Sequence, residues 1–152
     1  MSRVSVKTLH PCAIRSMLAI EQAAHQNPWS LDLIQDCFSS DYFILGIYRE
    51  HKLMGYLIAQ MMLDEASLLN ICVDPAYQRQ GCGRLLLENF VVAMQDRGVT
   101  QCFLEVRASN HCAQKLYTQF GFESAGLRKN YYRVPHTSQR EDAVLMTASL
   151  AI

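Results

Sequence analysis

The stretch that most restricts what this chain can fold into is Val73-Asp74-Pro75-Ala76-Tyr77-Gln78-Arg79-Gln80-Gly81-Cys82-Gly83-Arg84-Leu85-Leu86-Leu87. Ahead of it, Leu68, Leu69, Ile71 and Val73 make an apolar run of strand length. Asp74-Pro75 ends that run, because proline cannot continue a hydrogen-bonded ladder. After Gly83, the residues Leu87, Phe90, Val91 and Met94 fall at i, i+3, i+4 and i+7, which predicts one buried helical stripe closing near Gly98. The first turn of such a helix carries free backbone N–H groups and the positive end of the dipole. Two glycines remove the Cβ atoms that would hold a ligand off the backbone. An anion, best of all a phosphate, is the expected occupant.

Phosphate loops differ in what they require. A Walker loop needs two glycines followed by Lys and Ser/Thr, which this stretch lacks. A dinucleotide fingerprint needs a third glycine where Leu86 stands. The pattern present, Gln78-x-x-Gly81-x-Gly83 after an apolar strand, resembles the pyrophosphate loop of the GCN5-related N-acetyltransferases. That resemblance implies acetyl-CoA as cosubstrate.

The rest of the chain fits around this unit. With 152 residues, one domain spanning 1–152 with a sizeable core is expected. Formal net charge is zero, so no global field argues for nucleic acid or a membrane surface as partner. No signal-like N-terminus and no membrane-length apolar run is seen, and a cytoplasmic location is expected. The six cysteines form no Cys-x-x-Cys pair and the five histidines have no ligand spacing, so buried reduced thiols and no metal are expected.

Val4 and Val6 suggest a first strand, Pro11 opens a helix through His25, and Ser30 looks like the cap of a short helix reaching Phe38. Tyr42–Tyr48 and Leu53–Leu63 read as a hairpin, followed by a strand from Glu65 to Val73. Beyond the long helix come a strand from Gln101 to Val106 and a helix from Asn110 to Phe120. Two strands follow, one starting at Gly121-Phe122 and one from Ala143 to Leu150. The predicted order is β-α-α-β-β-β-α-β-α-β-β, an α/β fold with a mixed central sheet and helices on both faces. The acetyltransferase family has this order, so the resemblance extends over the whole chain.

Three groups of residues could carry chemistry. Glu105 shares a face with Phe103 at the C-terminal end of its strand, where ligands of α/β sheets gather. It is either a strand-end carboxylate paired with Arg107 or Arg128, or a general base in a cleft. Tyr117 falls on the apolar side of its helix with Ala113, Leu116 and Phe120, and spacing alone makes it a core tyrosine. Two loops are candidates for substrate selection, His25–Ser30 with the only tryptophan and Arg128–Arg133. Adjacent tyrosines in an extended strand point opposite ways, so one of Tyr131 and Tyr132 should pack while the other faces the cleft. Glu21, Asp64 and Glu65 would favour a cationic peptide or be solvated charges.

A narrower resemblance lies in Leu104-Glu105-Val106-Arg107-Ala108-Ser109-Asn110, Ile20-Glu21-Gln22, Pro28-Trp29-Ser30, Asp64-Glu65-Ala66, Asn70-Ile71 and Asn130-Tyr131-Tyr132. These runs are similar to the branch of the family that acetylates the N-terminal alanine of a small-subunit ribosomal protein, number eighteen, in bacteria. That likeness implies Glu105 as proton acceptor and Tyr117 as proton donor. It implies backbone pairing of Ile71, Cys72 and Val73 with the pantetheine arm, with a backbone N–H there facing the oxyanion. The pyrophosphate would be held by Arg79, Gln80, Gly81, Cys82, Gly83 and Arg84, with Asn110 also on the cofactor. Glu21, Trp29, Tyr131 and Tyr132 would meet the protein N-terminus. Cys82 departs from the aliphatic residue more usual in the family, and would add an oxidisable thiol at the cofactor. The family fold by itself leaves open a lysine, a polyamine or another small amine as acceptor, or a regulator that binds acetyl-CoA without catalysis.

Overall fold

Residues 3–151 are described by the computed structural model. The strands are β1 (Val4–Thr8), β2 (Tyr42–Arg49), β3 (Lys52–Met62), β4 (Glu65–Val73), β5 (Gln101–Arg107), β6 (Glu123–Arg133) and β7 (Arg140–Ser149). The helices are α1 (Ile14–Ala24), α2 (Leu31–Asp36), α3 (Cys82–Asp96) and α4 (His111–Gln119), with single 3-10 turns at Pro11–Ala13 and Pro75–Tyr77. One sheet runs β1-β2-β3-β4-β5-β7-β6. Every neighbouring pair is antiparallel except β4 and β5. The parallel pair follows from α3, because a strand-to-strand crossover through a helix returns the chain in the same direction. The expected order and the mixed sheet covered on both faces are both present.

Each face has its own core. On one, α3 lays Leu86, Leu87, Phe90 and Met94 against Phe43, Leu57, Leu104 and their neighbours. Full burial of each such side chain is worth roughly 1.5–3 kcal/mol. On the other, Met17 and Ile20 of α1 and Ile34 of α2 pack on Ile44, Tyr56 and Ile58. The capping residues are where the sequence puts them. Ser30 accepts from the Leu33 N–H at 3.2 Å, and Asn110 from the Ala113 N–H at 3.1 Å.

The central seam is the part that matters most. β4 and β5 pair only over Glu65–Leu68 and Gln101–Leu104. Beyond that, β5 continues alongside β7 to Arg107, while β4 follows β3 to Val73. The two strands part because β4 carries a bulge. Leu68 pairs with Ala59 and Asn70 with Ile58, so Leu69 has no opposite number. An extra residue bends its strand and strengthens the twist. The parting opens a wedge in the middle of the sheet, with unpaired backbone along Leu69–Val73.

One expected region differs. Arg128–Arg133 is the distal part of β6 and not a loop, but its register against β7 shifts between Arg128 and Tyr132. Asn130 sits there at φ 53°, and its N–H donates to Asp142 Oδ1 at 3.0 Å. Asparagine tolerates that left-handed conformation better than most residues.

Candidate active site

The wedge between β4 and β5 holds a cavity of about 920 Å³. Glu21, Trp29, Glu105, Asn110, Tyr117 and both tyrosines 131 and 132 line it. It joins a second cavity of about 660 Å³ under Phe103 and Leu145 through shared residues Trp29, Leu68, Glu105 and Tyr132. At its other end, Ala24, His25 and Ile71 are shared with a third, of about 460 Å³, which ends on Gly81 and Gly83. A groove therefore runs from the glycine loop, along the free edge of β4, and out past the aromatic pair.

The glycine loop has the expected shape. Gly81 caps α3 at φ 85°, and a Cβ added there would meet nothing within 4 Å, so the conformation, not crowding, asks for glycine. Arg79 is also left-handed, at φ 62°. Gln78 Nε2 donates to the Val73 carbonyl at 3.1 Å, folding the loop back on β4. Gln80 is occupied with Arg49, at 3.2 Å. Arg84 is turned toward α4, where it bonds Gln119 and lies over the Phe120 ring. The loop thus offers backbone N–H groups and open space, a cradle that suits a pyrophosphate.

Cys82 corrects an expectation. Its side chain is turned inward, 5% exposed, with Sγ 3.7 Å from the Tyr77 carbonyl. Burial pushes its thiol up, against a smaller opposite pull from Arg49. It is a packed thiol and not a reactive one at the groove. Cys72 likewise points into the core beside the Ile20 carbonyl, with its thiol pushed up to about 12 by burial first and Glu21 second. Only its backbone faces the groove side of β4.

On β5, burial alternates as the sequence suggests, with Cys102, Leu104 and Val106 inward and Phe103, Glu105 and Arg107 on the other face. Arg107 pairs with Glu141 at 2.9 Å and lies over the Tyr132 ring at 4.5 Å. Glu105 pairs with Arg128 at 3.0 Å, its side chain 29% exposed toward the cavity. Tyr117 comes from the opposite face, where α4 packs on the α3-side core, and its ring meets Phe122 edge-on at 5.9 Å. Among the described residues its hydroxyl has no hydrogen-bond partner, so it is not a core phenol satisfied by backbone. Burial first, then the neighbouring Tyr132, pushes it up to about 12. Tyr132 is also pushed up to about 12, by burial first and then by Glu105. One ring is thus the electrostatic neighbour of both Glu105 and Tyr117.

The aromatic pair corrects another expectation. Tyr131 and Tyr132 do not point to opposite faces; their rings stand edge to face at 4.9 Å and both line the cavity. The register shift at Asn130 breaks the alternation that a regular strand would impose.

Glu21 is no solvated charge. It is 1% exposed and accepts from Tyr56 Oη at 2.5 Å, Asn70 Nδ2 at 2.8 Å and the Trp29 N–H at 3.0 Å. It thereby ties α1, β3, β4 and the tryptophan segment together. Asp64 and Glu65 belong to the paired end of the seam, away from the groove, where the Asp64 carbonyl accepts from the Thr100 N–H at 2.7 Å. They line none of these three cavities. Glu21, His25 and Cys72 do bring three metal-ligand atoms within 4.8 Å of one another. The carboxylate already accepts from three donors and the thiol is held protonated, so this cluster is a hydrogen-bond node. The partners Tyr56 and Glu141 had no local signal in the sequence, since each lies on a strand whose pattern says only buried or exposed.

The sequence profile of the Acetyltransferase (GNAT) family matches residues 13–122. The chain is 40% identical over 148 residues to the [ribosomal protein bS18]-alanine N-acetyltransferase of Escherichia coli strain K12, covering 97% of this chain and 99% of that one. It is 37% identical over 145 residues to the protein of that name from Haemophilus influenzae, covering 95% and 98%. The crystal structure of the E. coli ribosomal-protein-S18-alanine N-acetyltransferase superposes with a TM-score of 0.94, covering 99% of this chain and 96% of that one. Ard1 from Thermoplasma volcanium, at 22% identity and a TM-score of 0.85, shares the fold, with 98% of each chain covered.

Proposed function

This chain belongs to the Acetyltransferase (GNAT) family, and we propose that it transfers the acetyl group of acetyl-CoA to the N-terminal alanine α-amine of ribosomal protein bS18. The observation that carries the reading is the meeting of Glu105 and Tyr117, from opposite faces of the sheet, in the one cavity where β4 and β5 part. The names and near-complete coverage of the bacterial relatives support the acceptor. Residues 1–152 are taken as one catalytic domain, since a single sheet runs from Val4 to Ser149.

In this reading Gly81, Cys82, Gly83 and Arg84, with Arg79 and Gln80, hold the pyrophosphate by backbone N–H groups. The free edge of β4 at Ile71, Cys72 and Val73 pairs with the pantetheine arm and offers a fixed N–H to the developing oxyanion. Asn110 lines the central cavity together with Ile71. Trp29, Tyr131 and Tyr132 clasp the peptide, while Glu21 acts by holding the Trp29 segment in place.

The amine must be neutral to attack. An α-amine with a pKa of about 8 is neutral in roughly one molecule in ten at pH 7, and a lysine near 10.4 in roughly one in 2,500. Glu105 accepts the proton directly or through a water. Tyr117, still protonated throughout the working range, gives one to the departing thiolate. No covalent acyl-enzyme is needed, and the inward-turned Cys72 is not placed to form one.

The test is a pH–rate profile of Glu105→Gln on an alanine-starting peptide. The reading expects kcat to drop at pH 7 and to recover partly above about pH 8, where the α-amine loses its proton unaided. Rates like wild type at pH 7 would remove Glu105 from the chemistry.

A further inference from the structure

Glu105 does not stand alone in the cavity. The Arg128 guanidinium meets it at 3.0 Å and is pinned over the Tyr131 ring at 4.8 Å. Arg128 is half exposed, so the pair adds little to stability. Its position is nevertheless built, because the register shift between Arg128 and Tyr132, anchored by Asn130 on Asp142, sets the strand at that point.

We propose that Arg128 is the charge-balancing residue of the acceptor site, offsetting the Glu105 carboxylate so that a bound amine gives up its proton instead of being held as an ammonium ion. The proposal rests on the reading of this cavity as an acetyl-acceptor site. A carboxylate alone beside an amine favours the charged amine, which cannot attack. A guanidinium against the same carboxylate offsets part of that bias, makes the carboxylate a somewhat weaker proton acceptor, and leaves its remaining lone pairs facing the amine. Arginine also stays charged at every working pH, so the balance does not itself titrate.

The other groups around Glu105 leave this role to Arg128. On β5, Arg107 is neutralised by Glu141 of β7 at 2.9 Å. On β6, Tyr131 and Tyr132 add no charge, and Arg133 lines the cavity with its carbonyl bonded to Arg107. From α4 comes the neutral Tyr117, and from α1 come Glu21, already bonded to three donors, and His25 beside it at 3.9 Å. Tyr117 and Tyr132 both lie near 12, so neither titrates in the range that matters.

The experiment compares the pH dependence of kcat, which reports the bound amine, with that of kcat/KM, which reports the free peptide and enzyme. For Arg128→Met, the acidic limb of kcat should move up by about one pH unit, as expected for loss of one partly screened charge. The high-pH plateau should stay within about twofold, KM below pH 7 should fall, and the limb of kcat/KM should stay put. Arg128→Lys should restore the limb. In Glu105→Gln/Arg128→Met, with both charges gone, the limb should return toward its wild-type position even though the plateau is lower. An unmoved limb in Arg128→Met overturns the proposal. So does a kcat lowered equally at all pH with KM raised, which marks a packing role. The base assignment is read separately, from the plateau of Glu105→Gln alone, so either idea can fail without the other.

Discussion

Two glutamates face the same cavity from opposite walls, and they are built for different work. On the α1 wall, Glu21 is 1% exposed and bonded to three donors from three separate segments. On the β5 wall, Glu105 is 29% exposed with Arg128 as its charged partner. A buried carboxylate that holds three donors is a fastener, and moving a proton onto it would weaken the bonds it makes. A carboxylate with one partly exposed ion pair and lone pairs to spare, turned toward an open cavity, can accept a proton at the cost of that pair alone. The seam between β4 and β5 produces the contrast, since the Glu105 end is where the strands have parted.

The comparison can be broken most sharply on the reactive side. Tyr117→Phe keeps the contact with Phe122 and removes only the hydroxyl, which has no partner to lose among the described residues. Its kcat should fall by about 10²–10⁴, with acetyl-CoA affinity and melting temperature almost unchanged. Normal turnover would return Tyr117 to the core.

On the fastening side the effect should appear in stability. Glu21→Ala strands the Tyr56 hydroxyl, which is fully buried, along with the Asn70 amide and the Trp29 N–H. A loss of roughly 3 kcal/mol in unfolding free energy is expected by denaturant titration. Glu105→Gln should lose less than about 1 kcal/mol in the same assay. Equal losses would erase the distinction between the two walls.

A smaller effect sharpens the cofactor end. Gly81→Val forces a branched side chain into φ 85°, where the loop must change shape to relieve it. Acetyl-CoA affinity measured by calorimetry should fall about tenfold or more, equivalent to about 1.4 kcal/mol. Undiminished affinity in a folded variant would move the pyrophosphate elsewhere.

A last effect, confined to alkaline pH and so smallest near neutrality, is a pH dependence of stability. Cys72 and Cys102 are raised by burial from 9 to about 12, so the native state holds their protons more tightly than the unfolded chain does. Their contribution is intact below pH 9 and is lost as pH rises toward 12, by about 1 kcal/mol per pH unit for each thiol. Tyr117, raised from 10 to about 12, adds to the decline only above pH 10. Urea titrations at pH 8 to 11 should show the fall, and Cys102→Ala should flatten part of the segment between 9 and 10. A stability that rises across this range contradicts the burial of these groups.

Much of this arrangement was legible in the chain itself. The Val73–Leu87 run carries its own turn, loop and helix signals, and the cap residues Ser30 and Asn110 act within three residues of themselves. The alternation of β5 placed Glu105 on its face correctly. What could not be read is what depends on bulges and on distant strands. Leu68-Leu69 interrupts a period of two, but nothing local says that the interruption will part β4 from β5. The register shift at Asn130 turned two tyrosines to one side where a regular strand would divide them. Glu21 looked like one more charge on a helix because its partners lie 8, 35 and 49 residues away in sequence. Periodicity reports burial and says nothing of who the partner is.

The central claim, acetyl transfer to an α-amine, is tested most directly by product mapping. A peptide beginning with alanine and carrying an internal lysine is incubated with the enzyme and acetyl-CoA at pH 7, beside the same peptide with its N-terminus blocked, and the acetylated position is read by fragmentation mass spectrometry. The account predicts acetate on the alanine nitrogen alone and no product from the blocked peptide. Acetyl-lysine in either peptide, or turnover of the blocked one, would contradict it.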